Sequence, residues 1–308
     1  MSLRHDETEV TVLADDAELF RYVYRPNDAQ LESPRPYFHP VRTLRGDLVT
    51  IYRPHDHVWH KGIALSLPHV GTENFWGGPT FRNGGYVQER NDGAMRHDDF
   101  DVAVAKDDVV RLDERLTWVT ETGETPVTEC RRIAATVLPD ADRDTGAAWL
   151  LAFETTLVNV SGAAIVIGSP TTAGRPNAGY GGLFWRGPRS FTGGTAVTQD
   201  GTGGDELMGT RGPWLAFAGR HDEHGRSSTL VFRDSPANFS YPTRWFVRST
   251  PFAAVCPAPF FDTEFRFAAG AALTLRYDIA VADGSLDPAA CARLAERAAA
   301  RDLLPAEE

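Results

Sequence analysis

Histidines are concentrated in one short segment of the chain, which has the sequence YRPHDHVWHKG at positions 52–62. The chain contains nine histidines in 308 residues, and His55, His57, His60 and His69 fall within fifteen of them. Imidazole is the commonest protein ligand of metals, and it also titrates near neutral pH. The segment therefore indicates either a divalent metal site or an acid–base site, in which Asp56 could orient one ring through its second nitrogen.

The spacing of the histidines does not choose between these two chemistries. H-x-H-x-x-H is not a specific metal signature, unlike HExxH. On a strand, His57 and His60 would face opposite sides unless a turn intervenes. We interpret His57 and His60 as catalytic residues, and the metal alternative uses His39, His57 and His60. A structural role, in which the rings only hydrogen-bond loop carbonyls, remains a third interpretation.

Aromatic and arginine residues accompany the histidines. Sugar rings present C–H faces that stack on aromatic planes, and guanidinium groups bind carboxylates and neighbouring oxygens in fixed geometry. The alternatives are core packing for the rings and surface ion pairs for the arginines. The arginines that we consider for this role are Arg42, Arg53, Arg175, Arg186 and Arg244. The residues that we predict to bind a substrate are His39, Arg42, Trp59, Trp76, Tyr180 and Arg186.

Strand-like patterns occupy most of the chain. Segments such as EVTVLA, WLLAFETTLVNV and ALTLRYDIAVADG alternate apolar and polar residues and are rich in β-branched types. The tail DPAACARLAERAAARDLL instead has a helical pattern over about 288–302, with Asp287 as N-cap and Pro288 at the first helical position. We predict an all-β fold over residues 1–308, a single large antiparallel β-sandwich domain with a short C-terminal helix.

Composition excludes several classes of function. The net charge of −11 argues against nucleic acids and anionic membranes as partners. No secretory signal and no apolar stretch of about twenty residues is visible. Cys130, Cys256 and Cys291 form no CxxC pair, which argues against a thiolate zinc site and favours the cytoplasm. The sequence contains no GxGxxG motif after a strand and no P-loop, so we expect no nucleotide cofactor.

Several segments resemble a known protein family. RPYFHPVRTLRGDLVTIYRPHDHVWHKG, ENFWGG, GYGGLFWRGP and DSPANFSYPTRWFVR, in this order, are similar to a bacterial family of unknown function. That family is often labelled as similar to a subunit of particulate methane monooxygenase. That subunit is an integral membrane protein, whereas this chain has no apolar stretch of about twenty residues to span a bilayer. The label therefore does not suit this chain. The resemblance also implies a functional link to a sugar oxidoreductase.

The closing segment resembles a second family. FFDTEFRFAAGAALTLRYDIAV is similar to the last part of aldose-1-epimerase-like proteins, which implies a sandwich of the galactose-mutarotase type. In a mutarotase, a glutamate base and a histidine acid divide the proton transfers. The resemblance implies Glu264 as the base here, with His57 or His60 as the acid.

These features together suggest a small-molecule carbohydrate, or an oxidised keto sugar, as the substrate. We expect an enzyme that carries out elimination, hydrolysis or epimerisation, as a lyase, hydrolase or isomerase, with or without a divalent metal. The alternative is a sandwich protein that binds a sugar or a partner without chemistry.

Overall fold

The chain folds mainly into antiparallel strands. The computed structural model describes residues 1–82, 84–139 and 147–305. Among these residues the strands are, in chain order, β1 (Ser2–His5), β2 (Glu9–Ala14), β3 (Ala17–Val23), β4 (Tyr37–Val41), β5 (Ile63–Val70), β6 (Glu73–Phe75), β7 (Thr80–Arg82), β8 (Gly85–Val87), β9 (Ala94–Lys106), β10 (Val109–Val119), β11 (Val127–Leu138), β12 (Ala148–Asn159), β13 (Ile165–Gly168), β14 (Gly182–Arg186), β15 (Thr195–Thr198), β16 (Gly201–Gly203), β17 (Trp214–Arg220), β18 (Ser227–Asp234), β19 (Arg244–Arg248), β20 (Ala254–Ala258), β21 (Phe265–Phe267) and β22 (Ala272–Asp283).

The strands form two large sheets and one small hairpin. In the described part of the chain, the first sheet has eleven strands, and its main path is β1-β2-β3-β4-β5-β14-β20-β19. β6 and β13 also pair with β5, and β21 pairs with β13. The second sheet has nine strands in the order β16-β15-β17-β18-β22-β12-β11-β10-β9, and β7 pairs with β8.

Aromatic side chains from both sheets meet in the core between them. Phe20 of β3 stacks on Trp149 of β12, with ring centroids 5.6 Å apart. Trp185 of β14 likewise contacts Phe232 of β18 at 5.6 Å. These rings are nearly or completely inaccessible to solvent, so the sheets bury their facing surfaces against each other. The predicted antiparallel sandwich is confirmed.

A short C-terminal helix covers the outer face of the second sheet. Helix α1 spans Pro288–Ala300, and the Asp287 carboxylate accepts a hydrogen bond of 2.7 Å from the Ala290 amide. The helix buries Leu294 and Ala298 in a cluster with residues of β18 and β22. The predicted N-cap and first helical position are therefore confirmed. No helix within the described ranges has the length and apolarity to cross a membrane.

Buried ionic groups anchor the loop of residues 53–61, which carries the histidines. Lys61 is inaccessible, and its ammonium pairs with Glu32 and, at 3.1 Å, with Asp28. Arg53 pairs with Glu32 at 2.6 Å. The buried guanidinium of Arg35 donates a 2.7 Å hydrogen bond to the carbonyl of residue 59. Both ends and the middle of the loop are thus tied to the segment before β4.

The segment of residues 74–78 packs against the same loop. Its two glycines, Gly77 and Gly78, leave no room for a side chain. The buried Asn74 side chain accepts hydrogen bonds from the amides of Trp76 and Gly77 and donates to the Gly78 carbonyl. Gly78 has a φ of +69°, and a Cβ there would lie 2.7 Å from the indole of Trp59. Glycine at this position therefore allows the close approach that sets the position of Trp59.

We predict that Gly78→Ala destabilises the protein more than Gly270→Ala. Gly270 has a similar φ of +73°, but a Cβ there would meet nothing within 4 Å. The control should lose about 1 kcal/mol of unfolding free energy from backbone strain. Gly78→Ala should lose a further 1–3 kcal/mol, roughly, from overpacking. Urea unfolding measures both losses, and tryptophan fluorescence reports displacement of Trp59. Equal losses in the two variants would show that the contact with Trp59 is not tight.

Candidate active site

A cavity opens beside the loop of residues 53–61. Its volume is about 550 Å³, which is within the range of small-molecule sites. The described residues that line it are His57, Trp59, His60, Trp76, Gly77, Pro79, Tyr86, Arg175, Tyr180, Phe184, Phe246, Arg248, Pro251 and Phe252. Five of the nine residues predicted to be catalytic or to bind substrate are in this lining: His57, Trp59, His60, Trp76 and Tyr180.

Two consecutive turns bring His57 and His60 to the same side of the loop. The His57 amide donates to the Pro54 carbonyl and the His60 amide donates to the His57 carbonyl, each at 3.0 Å. A hydrogen bond between the Arg53 amide and the His60 carbonyl closes the loop. The two imidazoles stack at a centroid distance of 4.6 Å with an interplanar angle of 11°. The segment is therefore not an extended strand, on which these rings would have pointed apart.

The tautomer of His60 follows from its contact with Arg186. The Nη1 of Arg186 lies 2.7 Å from Nδ1 of His60, and both side chains are buried. A guanidinium can only donate, so Nδ1 must accept and the ring proton must be on Nε2. Burial, followed by the nearby charges of His57 and Arg186, lowers the pKa of His60 well below its ordinary value. His60 is thus neutral and retains an N–H at Nε2.

His57 has the opposite arrangement of proton and lone pair. Its Nδ1 lies 3.2 Å from Oδ2 of Asp56, although no described atom forms a well-aligned hydrogen bond with that nitrogen. A carboxylate at this distance favours the proton on Nδ1, which leaves the lone pair on Nε2. Burial lowers the pKa of His57, and Asp56 partly opposes that shift. His57 is therefore a neutral ring with a basic Nε2.

Arginines hold Asp56 ionised behind the two rings. Arg186 Nη2 donates to both carboxylate oxygens of Asp56, at 3.1 and 3.3 Å, and Arg189 donates at 2.7 Å. Although partial burial acts in the opposite direction, these contacts lower the pKa of Asp56 to about 2. The guanidinium of Arg186 also lies 3.7 Å from the centroid of the Phe252 ring. Arg186, predicted to bind substrate, thus lies behind His60 and Phe252 and positions His60.

Aromatic side chains form the walls of the cavity. Trp76 contacts Tyr180 at a centroid distance of 4.5 Å and Phe184 at 4.8 Å. His60 packs against Phe184 at 4.7 Å. The Tyr180 hydroxyl is 3.0 Å from that of Tyr86, and burial raises the pKa of Tyr180 well above its ordinary value. Tyr180 is therefore a neutral hydroxyl, as its predicted role as a donor requires.

Three other predicted residues lie outside the cavity lining. His39 Nδ1 bonds Thr50 Oγ1 at 2.9 Å, and burial lowers the pKa of His39 to about 4. Arg42 donates to the Gly46 carbonyl. Glu264 is exposed, beside Gly168 at the end of β13. None of these three residues is among the described residues that line the cavity with His57 and His60.

The predicted metal centre does not form from these histidines. Within the described residues, no three histidine, cysteine, aspartate or glutamate side chains converge in a way that could hold a metal ion. Nδ1 of His60 is occupied by Arg186, and Nδ1 of His39 by Thr50. The positive charge of Arg186 beside His60 also opposes a cation. The set His39, His57 and His60 therefore does not fit a divalent metal.

Several lining residues were not among those predicted from the sequence, although the period of two along a strand could have identified some of them. Phe184 and Arg186 are two residues apart on β14, as Phe246 and Arg248 are on β19. Residues two apart on a strand face the same side, so each pair could have been grouped. Phe252 lies in a connection between strands, and no local pattern identifies it.

Comparisons with solved structures find only distant likenesses. An α-galactosidase from Lactobacillus brevis is 10% identical over 92% of this chain and 39% of its own, with a TM-score of 0.40. A galactose mutarotase-related enzyme from Lactobacillus acidophilus is 12% identical over 92% of this chain and 98% of its own, with a TM-score of 0.35. The chain spans about two fifths of the galactosidase it matches. These TM-scores are too low to support any argument about activity.

Comparisons of sequence identify a family. No protein of the curated set matches the chain significantly. A family model described as a family of unknown function, DUF6807, matches residues 9–296. This match confirms the expected membership of a family without an assigned function. The chain belongs to DUF6807.

Proposed function

We propose that the protein is an enzyme that carries out acid–base chemistry on a sugar or an oxidised, keto sugar. The observation that supports this proposal is the pair of stacked imidazoles that line one cavity with opposite tautomers. In these tautomers Nε2 of His57 is able to accept a proton, and Nε2–H of His60 is able to donate a hydrogen bond. Proton removal next to a carbonyl requires both a base and a donor to the oxygen.

His57 is the base in this proposal. When Nε2 takes a proton from the substrate, the ring becomes an imidazolium, and the ionised Asp56 at 3.2 Å stabilises it. Asp56 remains a carboxylate at neutral pH because its pKa is lowered to about 2. The pairing with Arg186 and Arg189 also limits how far Asp56 raises the basicity of His57.

His60 is the hydrogen-bond donor to the substrate oxygen. Arg186 donates to Nδ1 at 2.7 Å. Protonation of that nitrogen would remove the acceptor of this hydrogen bond and set two positive charges against each other. His60 therefore acts as a neutral imidazole that polarises a carbonyl and stabilises the oxyanion that forms on it. This assignment replaces the arrangement implied for Glu264, which is exposed and is not among the described lining residues.

The walls of the cavity favour a sugar ring and restrict the choice of reaction. Trp59 and Trp76 present apolar surface suited to the C–H faces of a pyranose. Glycoside hydrolysis by its usual route requires two carboxyl groups, and no aspartate or glutamate is found among the described lining residues. Elimination or epimerisation beside a carbonyl is therefore the better-supported reaction, and a keto sugar provides that carbonyl.

Non-catalytic sugar binding is the second candidate. The observation that favours it is that seven aromatic side chains, at 59, 76, 86, 180, 184, 246 and 252, dominate the lining. Such walls bind sugars without any proton transfer. In that case substitutions at His57 and His60 would change affinity alone.

We predict that His57→Gln and His60→Gln each slow proton exchange by at least about 100-fold, the usual contribution of a positioned acid or base. The assay incubates 3-keto-glycosides and uronates in D₂O and follows loss of the C–H signals by NMR. It detects proton abstraction whichever reaction follows. His55→Gln is the matched control, because His55 is an exposed residue of the same loop and is not in the lining. Circular dichroism checks that each variant is folded. Unchanged exchange in both active-site variants would contradict the catalytic proposal.

We predict that Asp56→Asn moves the acid limb of the pH–rate profile to lower pH. Protonated His57 cannot act as a base, so kcat/KM should fall tenfold per unit below the pKa of His57, which is lowered from 6.5. Asp56 raises that pKa, and its loss leaves Arg186 and Arg189 uncompensated beside the ring. The plateau rate should also fall by about tenfold or more, because the imidazolium loses its counter-charge. A limb that moves to higher pH would exclude His57 as the titrating base.

A further inference from the structure

The charge of the cavity lining differs from that of the whole chain. The chain has a net charge of −11, yet its described lining residues include Arg175 and Arg248 and no carboxylate. Charges that line an apolar cleft focus the local potential, because little water is present to screen them. The cavity is therefore suited to an anionic group, in a protein whose remaining surface repels anions.

Arg175 is the lining arginine whose charge is not paired with a carboxylate within the described ranges. Its guanidinium lies 5.0 Å from the centroid of the Tyr86 ring, and Nη1 donates to the Tyr86 hydroxyl. No described carboxylate lies within ion-pair distance of it. A guanidinium has five N–H donors in a planar fork, so most of them are open to a ligand.

The segment around Arg175 is held in place by its own hydrogen bonds. The Arg175 amide donates to the Pro170 carbonyl at 2.8 Å, and the amide of Ala178 donates to the Thr171 hydroxyl at 2.9 Å. The hydroxyl of Tyr86, which Arg175 contacts, is 3.0 Å from that of Tyr180 in the cavity wall. Backbone hydrogen bonds thus fix the segment, and the hydroxyl of Tyr86 holds the guanidinium of Arg175 at the cavity.

Arg248 contributes less positive charge than Arg175. Its Nη1 pairs with Asp205 at 3.3 Å, and Asp205 also accepts hydrogen bonds from the amides of Ser249 and Thr250. A paired guanidinium at a partly exposed site attracts a further anion only weakly. Arg175 therefore provides the principal charge for an anion in the cavity.

We propose that the cavity binds a carboxylated sugar, such as a uronate or a keto derivative of one, through its carboxylate on Arg175. This inference rests on the proposed function, because it names the substrate class of that site. One planar fork with no acidic partner among the described residues matches the charge and shape of one carboxylate, which it can bind in a bidentate manner. A phosphate dianion has twice the charge and would require further donors.

The experiment compares sugars that share a ring and differ in the charge of the group at C6. Galacturonate, its neutral methyl ester and galactose are titrated into the full-length protein, with glucuronate, glucose and glucose 6-phosphate as a second set, and the Kd of each is measured. We expect each uronate to bind at least about tenfold more tightly than its neutral partner. Arg175→Gln should remove that preference and Arg175→Lys should restore part of it, because lysine keeps the charge without the fork. Arg220→Gln, which removes an exposed arginine outside the lining, should leave the preference unchanged.

The outcomes separate this inference from the proposed function. Equal binding of uronates and neutral sugars, an undiminished preference in Arg175→Gln, or no binding of any probe would overturn the carboxylate site. Tighter binding of glucose 6-phosphate than of glucuronate would replace the carboxylate by a phosphate. His57-dependent exchange on neutral keto sugars alone would leave the acid–base proposal standing without the carboxylate. Uronate binding through Arg175 with no His57-dependent exchange would support the anion site and contradict the acid–base proposal.

Discussion

The hydrogen bond from the buried guanidinium of Arg186 to His60 determines the chemistry of the cavity. Arginine cannot lose its proton in a protein, so its partner nitrogen must be an acceptor whatever the pH. The same guanidinium pairs with Asp56, which in turn lies beside His57. One fixed cation therefore determines the tautomer of one imidazole directly and influences that of the other through a carboxylate. Two chemically identical side chains favour different tautomers because their neighbours differ.

The surroundings of this pair are built to resist rearrangement. Arg35, Lys61 and Arg186 are all buried cations, and each has a carboxylate or carbonyl partner in or beside the loop of residues 53–61. Removing one member of such a network leaves an uncompensated buried charge, at a typical cost of 3–5 kcal/mol. This arrangement holds the imidazoles in place, and the proposed function requires such a fixed geometry for electrostatic stabilisation of a transition state.

Much of the fold could be predicted from the sequence because local patterns encode it. Alternating residues predicted the strands of the sandwich, and Asp287 with Pro288 predicted the start of the helix. The density of histidines predicted the candidate site, since His57 and His60 do line the cavity. No local pattern excluded His39 from the predicted site, although in the folded chain it lies on β4 and its ring bonds Thr50. Its distance from the pair depends on how strands pack, which no local pattern contains.

The sequence by itself determined which kinds of elements form and which segment carries the histidines, because backbone propensity and hydrophobic periodicity act over a few residues. The turn between His57 and His60 could not be predicted from the local sequence, because contacts with distant residues such as Arg35 help to hold this loop in place. Only the tertiary structure decided that Arg186 lies behind His60, that Glu264 is outside the described lining, and that Arg175 reaches the cavity without an acidic partner in the described part of the chain. The contacts of Arg186 with His60 and of Arg175 with Tyr86 join side chains about ninety residues apart or more, so no local pattern contains them.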